Sequence, residues 1–236
     1  MTLVKKIKKI INCLLNPKYL NAYVRLICPL FELKEPLKKA RLIENVIDIG
    51  SNKGQFSILA KIYYPNCLIY SFEPQKKYIK NQKKILNKKI IFYNFCLGEK
   101  NYTKSLNILK KEDSSSLLKP NILNESIYKV IKKIKVNIKT LDSVLSKKKL
   151  NNSLMKIDVQ DYEYQVLKGS SKLLNKIKYI ILEIASKNIY KNQIDKKYLL
   201  SFLKKKNFRL VKIYNKEKLE KNITQHDYLF ENSKLK

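Results

Sequence analysis

The sequence predicts an α/β fold: a mainly parallel sheet with helices on both faces, closed by an antiparallel strand. Three observations carry that prediction. From Asn45 onward, short apolar runs alternate with helix-patterned segments. The runs are apolar at nearly every position, as strands covered on both faces must be. Two of the chain's four glycines, Gly50 and Gly54, directly follow the first run, where a strand-to-helix turn needs positive φ or close backbone approach.

Residues 1–43 read as a helical extension. Val4, Ile7, Ile10, Ile11, Leu14 and Leu15 recur at helical spacing between lysines, and Pro17, Pro29 and Pro36 break the region into short helices. Such a segment suits a cap on the main domain or a basic amphipathic helix on an anionic membrane face. Its apolar stretch is too short to span a bilayer and lacks a small-residue cleavage site, so it does not read as a signal peptide.

Residues 44–236 form the main domain. Val46–Ile49 is the first strand and Gln55–Tyr63 its helix. Cys67–Phe72 is the second strand, ended by Glu73-Pro74, and Lys76–Leu86 is the next helix. Ile90–Asn94 is the third strand. Ser105–Leu109 and Ile134–Ile138 read as strands flanking a loop at Asp113-Ser114-Ser115-Ser116, and Leu141–Leu145 begins a short helix. Leu154–Asp158 and Tyr179–Glu183 are the fourth and fifth core strands, with a helix at Tyr162–Lys168 between them. A helix at Tyr198–Lys205 precedes a closing pair, Phe208–Tyr214 and Asp227–Phe230.

The 236 residues carry a formal charge of +32, which invites a nucleic-acid reading. Yet Arg25, Arg41 and Arg209 are the only arginines, whereas phosphate and base-edge recognition favours arginine. The excess of lysine, asparagine and isoleucine reads instead as coding bias, with some attraction to anionic surfaces or substrates. Nucleic acid is therefore not the expected partner. Cys13, Cys28, Cys67 and Cys96 have no C-x-x-C spacing and read as reduced thiols of a cytoplasmic protein, with no metal site.

In a parallel sheet, ligands bind at the carboxyl ends of the strands. Glu73, Asp158 and Glu183 end strands two, four and five, and Asp48 lies near the end of strand one. Carboxylates gathered there in a chain with only 19 acidic residues mark a candidate site.

The motifs now support a family. Asp48-Ile49-Gly50-Ser51-Asn52-Lys53-Gly54-Gln55-Phe56 resembles the D-x-G-A-N-x-G-x-(F/Y) motif of FkbM-type S-adenosylmethionine-dependent methyltransferases. Phe72-Glu73-Pro74, Thr140-Leu141-Asp142 and Lys156-Ile157-Asp158-Val159-Gln160 match that family's F-E-P, T-L-D and K-I-D-V-(E/Q) in order. Two positions depart from the pattern: Ser51 replaces the usual Ala, and Asp161 stands where Gly is usual. The resemblance implies a Rossmann-like class I methyltransferase sheet with S-adenosyl-L-methionine as cofactor. Gly50 and Gly54 would let the first loop approach its methionine part, with Asp48 beneath and Asn52 offering an amide. Glu73 is placed to accept both ribose hydroxyls, and Asn94 and Cys96 lie where adenine is expected.

The family also implies a small-molecule or glycan acceptor, such as a sugar hydroxyl of a surface polysaccharide or glycolipid. Proton removal from it falls first to Asp158, then to Glu183, with the sole histidine, His226, as a third candidate. The serine loop at 114–117 is expected over the acceptor. A basic surface would suit an acceptor at the inner membrane face. RNA methylation, or cofactor binding without turnover, are the other readings. A dinucleotide dehydrogenase is not the expected reading, because the first loop reads G-x-x-x-G and not G-x-G-x-x-G.

Overall fold

The computed structural model describes residues 11, 13, 14, 20, 28–86, 89–121, 128–220 and 223–235. The expected amphipathic helix at the start of the chain therefore falls mostly outside the described residues. A 3-10 turn, Phe31–Leu33, leads into helix α1, Lys34–Lys39. Then follow β1 (Asn45–Ile49), α2 (Gln55–Tyr63), β2 (Leu68–Phe72), α3 (Lys76–Ile85) and β3 (Ile90–Tyr93). β4 (Cys96–Leu97), β5 (Tyr102–Leu109), β6 (Val130–Lys139) and α4 (Leu141–Leu145) come next. β7 (Ser153–Ile157), α5 (Glu163–Lys168), β8 (Ile177–Ala185), α6 (Lys196–Lys205), β9 (Phe208–Glu220) and β10 (Ile223–Asn232) complete the chain.

Seven strands form one sheet in the order β3-β2-β1-β7-β8-β10-β9. β3, β2, β1, β7 and β8 run parallel, and β10 is antiparallel to both β8 and β9. Strand order reverses between β1 and β7, so a crevice opens there at the carboxyl edge. β4, β6 and β5 make a separate three-stranded sheet.

Alternation of side chains divides the core between the two faces. Val46, Ile69, Leu154, Ile181 and Leu229 pack with Leu33, Leu37, Phe56 and Leu59 on one side. Ile47, Tyr70, Met155 and Ile180 join the larger cluster on the other. Each such fully buried aliphatic contributes roughly 1.5–3 kcal/mol; every residue of β1 and β7 is buried, the polar Asn45, Asp48, Ser153 and Lys156 included. Residues 33–43 share the first cluster, so this part of the N-terminal extension is packed on the sheet.

Register places the site. Ile49 pairs with Phe72 on one side and Ile157 on the other, and Ile157 pairs with Leu182. The next residues are Gly50, Glu73, Asp158 and Glu183, so all four stand at one level along the edge. Asp227 of β10 faces Glu183 directly. Two residues below that edge, Asp48 is paired with Lys156.

Gly50 has φ +77, and a Cβ there would lie 1.9 Å from the carbonyl oxygen of Asp158. The first loop needs glycine because the chain's own β7 turn lies against it, in addition to any ligand. Gly50→Ala is expected to cost about 3 kcal/mol or more, as overpacking against immobile backbone; urea unfolding of both proteins checks this.

Candidate active site

The first loop is held by buried hydrogen bonds. Gln82 of α3, fully buried, donates from Nε2 to Ser51 Oγ (2.9 Å) and to the Asn52 carbonyl (2.6 Å). Ser71 Oγ lies 2.8 Å from Ser51 Oγ and 3.0 Å from Gln82 Oε1. The hydroxyl at position 51 is thus buried and satisfied, which accounts for Ser where the family usually has Ala.

Glu73 is buried, and both its oxygens accept from backbone: Asn52 N–H donates to Oε2 (2.9 Å) and Gln75 N–H to Oε1 (2.8 Å). Burial pushes its carboxyl up to about 7 against those two amides, which favour the charged form. Each oxygen keeps acceptor capacity for a further donor. Asn52 Oδ1 is buried with no partner. An orphaned acceptor beside a carboxylate at the end of β2 fits the hydroxyl and amino donors of a nucleoside–amino-acid cofactor.

Along the edge stands a buried ion pair. Lys156, 5 % exposed, places Nζ 2.8 Å from Asp158 Oδ2, and Gln160 Nε2 donates to Oδ1 at 2.8 Å. Burial works to raise the Asp158 carboxyl, but the Lys156 charge and hydrogen bonds from Lys156, Gln160 and Glu183 hold it below its ordinary value. Glu183 moves the other way, raised well above its ordinary value by burial and by the charges of Asp158 and Asp227. A proton shared by the pair is therefore favoured on Glu183 over Asp158. Burial opposes the charge on Lys156, but Asp158 and Asp48 outweigh it and keep the ammonium protonated.

These groups line a cleft of about 420 Å³. Gly50, Asn52, Glu73, Cys96, Asp158 and Glu183 are all in its walls. So are Phe72 and Phe95, and Lys111–Ser115 with Leu117 from the serine segment. That segment is tied down: Ser116 Oγ donates to the Gln160 carbonyl (2.6 Å), Tyr190 OH to the Ser114 carbonyl (2.5 Å), and Tyr78 OH to Glu112. The rim opposite is made by Leu30, Glu217, Leu219 and Gln225. Glu183 also walls a second cavity of about 330 Å³ with Asp161 and Glu163.

Other expected residues sit elsewhere. Asp48 lies beneath the loop, out of the cleft wall, and accepts from Ser57 Oγ at 2.7 Å. Gly54 caps α2 at φ +85, packed on Gln82. Asn94 is outside the cleft wall; its amide donates to the carbonyls of Glu73 (2.9 Å) and Pro74 (2.8 Å), fixing the turn that carries Glu73. Cys96 is a buried thiol pushed well up by burial. His226, expected as a third base, is also outside the cleft wall: it pairs with Ile184, so the pleat turns it away from the face Asp227 shares with Glu183, and Nε2 lies 3.2 Å from Thr224 Oγ1. Thr140 and Asp142 are structural: Thr140 caps α4, and Asp142 accepts from the amides of Lys172 and Leu173. Asp161 follows Gln160 in the left-handed region (φ 70 and 56), supplying the turn usually made by glycine.

Sequence reasoning assigned no role to Lys156, Gln82 or Phe95. Lys156 was legible as a lysine inside an apolar run, two residues before Asp158 and therefore on its face.

The strand order, the glycine turn after β1 and the carboxylate after β2 define a Rossmann-like fold of the class I methyltransferase type. Within that class the chain belongs to the FkbM methyltransferases: the Methyltransferase FkbM domain matches residues 48–210. S-adenosylmethionine is the cofactor that goes with it. No curated protein matches the chain by sequence. Among solved structures it is similar to M. capricolum TrmK in complex with S-adenosyl-homocysteine, at 14% identity over 86% of this chain and 68% of that chain (TM-score 0.49). It is also similar to magnesium protoporphyrin IX methyltransferase of Synechocystis PCC 6803 with bound SAM, at 12% identity over 96% and 83% (TM-score 0.48).

If Glu73 takes the ribose, its hydroxyls would donate to the ionised carboxylate, so binding would expel a proton below about pH 7, the carboxyl's raised value. Affinity for S-adenosylhomocysteine is expected to be flat above about pH 7 and to weaken below it, by up to about tenfold per pH unit. Glu73→Gln should bind about tenfold or more weakly and lose this dependence; calorimetry across pH 5–8 reads both effects. At the edge, Lys156→Met leaves Asp158 without its cation. It should cost about 3 kcal/mol in urea unfolding and raise the Asp158 carboxyl.

Proposed function

We propose that this chain O-methylates a sugar hydroxyl of a surface polysaccharide or glycolipid, using S-adenosylmethionine. The observation that carries the reading is the edge itself: Glu73, which fits the ribose, stands level with Asp158, an ionised carboxylate lining the same cleft. When bound, the cofactor supplies an electrophilic methyl group carried on a positively charged sulfur.

The chain's own residues supply the rest. Glu73 and Asn52 orient the nucleoside. Asp158, kept ionised by Lys156 and Gln160, accepts the hydroxyl proton of the acceptor. Its low proton affinity makes it a weak base, suited to taking a proton late, once the oxygen has become acidic. Glu183, protonated beside it, can donate to a second acceptor oxygen and align the first. The serine segment and the Leu30–Leu219 rim narrow the cleft and limit water.

The basic surface supports a place of work beside an anionic membrane; among the described residues, no helix is long and apolar enough to cross one. A second reading, RNA methylation, is favoured by the charge of +32. It predicts salt-sensitive RNA binding and methyl transfer to RNA. Loss of catalysis gains no support from Asp161, whose backbone takes the turn it must.

Asp158→Asn is expected to lower kcat about 10²-fold or more with S-adenosylhomocysteine affinity little changed. Mass spectrometry of surface glycans from cells with wild type or Asp158→Asn should show a methyl group lost from one glycan. Intact methylation in the mutant cells would remove Asp158 as the base; methylated RNA in place of a glycan would favour the second reading.

A further inference from the structure

The charge of the cleft opposes that of the molecule. The chain is formally +32. Yet Glu32, Glu73, Glu112, Asp113, Asp158, Glu183 and Glu217 line the cleft against Lys111 and Lys156 among the described residues. Three of these carboxylates have close cations: Asp158 with Lys156 at 2.8 Å, Asp113 with Lys111 at 3.9 Å, and Glu112 with Lys77 at 2.8 Å. Glu73, Glu183 and Glu217 have none within ion-pair distance among the described residues. The surface therefore draws anions toward the protein, while the cleft is lined by more carboxylates than cations, with Glu183, which favours its neutral form, adding a hydroxyl donor and not a charge.

We propose that this cleft selects by charge: its acceptor is an uncharged hydroxyl compound, a neutral glycosyl unit, and phosphorylated or uronate acceptors, nucleic acid among them, are turned away. The inference rests on the methyltransferase reading and narrows its acceptor. Carboxylates and the Gln225 and Gln160 amides are the groups that bind sugar hydroxyls, each carboxylate oxygen accepting from a neutral donor. A phosphate or uronate in the cleft would meet Glu73 and Glu217, which have no cation within ion-pair distance among the described residues, and like-charge repulsion of that kind costs roughly tenfold or more in affinity. The raised carboxyls of Glu73 and Glu183 are the same repulsion and burial felt from inside. The basic exterior has a separate task, holding the enzyme at an anionic surface while the neutral sugar enters.

Salt separates the two fields. S-adenosylmethionine carries one more positive charge than S-adenosylhomocysteine, so the pair probes the sign of the potential in the cleft. Calorimetry between about 20 and 300 mM salt should show the cationic ligand weakening about threefold more than S-adenosylhomocysteine. Glu217→Lys, an exposed rim change, should shrink that difference. A cationic ligand whose affinity is unchanged or improved by salt would overturn the proposal, because the overall charge would then govern the cleft. In a panel of methyl glycosides, neutral sugars should be methylated at least about tenfold better than their 6-phosphates or uronates; an anionic member matching its neutral parent would also overturn it. Failure to bind either nucleoside would instead sink the methyltransferase reading itself.

Discussion

The site depends on one buried ammonium. Lys156 stands in the middle of the sheet, two residues below the carboxyl edge, where Asp48 pairs with it across β1 and Asp158 lies 2.8 Å away. A lysine is hard to bury, and so is each of these carboxylates. Lys156 and Asp158 are tolerable together because each has the opposite charge beside it, and the Lys156 charge also works against the burial that raises the Asp48 carboxyl. The arrangement then does something neither partner does alone. It holds the Asp158 carboxyl below its ordinary value while that of Glu183 is raised, although both end neighbouring strands at the same height. Two similar side chains acquire different proton states because only one of them touches the cation.

The cofactor end is built on another principle. Glu73 receives no cation but two backbone amides, and those amides come from the two loops that would enclose a nucleoside. Asn94 holds the Glu73 turn from behind through its carbonyls, and Gln82 with Ser71 holds the glycine loop. The site is thus rigid on the side where it must recognise a fixed molecule. Its opposite wall is assembled from β9, β10 and the segment around Leu30, elements remote in the chain.

The two glycines of the first loop differ in purpose. Gly50 is required by the approach of the Asp158 carbonyl, so the first and fourth parallel strands of the main sheet are locked at the point where strand order reverses. Gly54 starts α2 with a left-handed residue against Gln82. Asp161 and Gln160 make a comparable turn without glycine, which Asp tolerates better than most side chains. Strain is therefore concentrated in the loops around the cleft, where tertiary contacts can hold it.

Much of this was legible in the sequence. Strands covered on both faces must be apolar throughout, and helices must repeat every three to four residues; these periodicities located the elements from β1 to β10 to within a few residues, save the short β4. The extent of β5, β6 and β9 was less legible, because their exposed halves carry lysine and asparagine with no apolar pattern. Glu73, Asp158 and Glu183 were legible because a strand's end is a sequence property, and in a parallel sheet the carboxyl ends share one edge. The sequence could not decide what each side chain touches. Asn94 and Glu73, Gln82 and Ser51, or Tyr190 and Ser114 are 21, 31 and 76 residues apart, and their hydrogen bonds exist only once the sheet has brought them together. His226 carried chemistry in its name alone; the pleat decided that it faces away, whereas Cys96 is a buried thiol in the cleft wall. Local pattern sets the elements and the edge, while proton states, partners and the sign of the cleft's charge depend on distances through space.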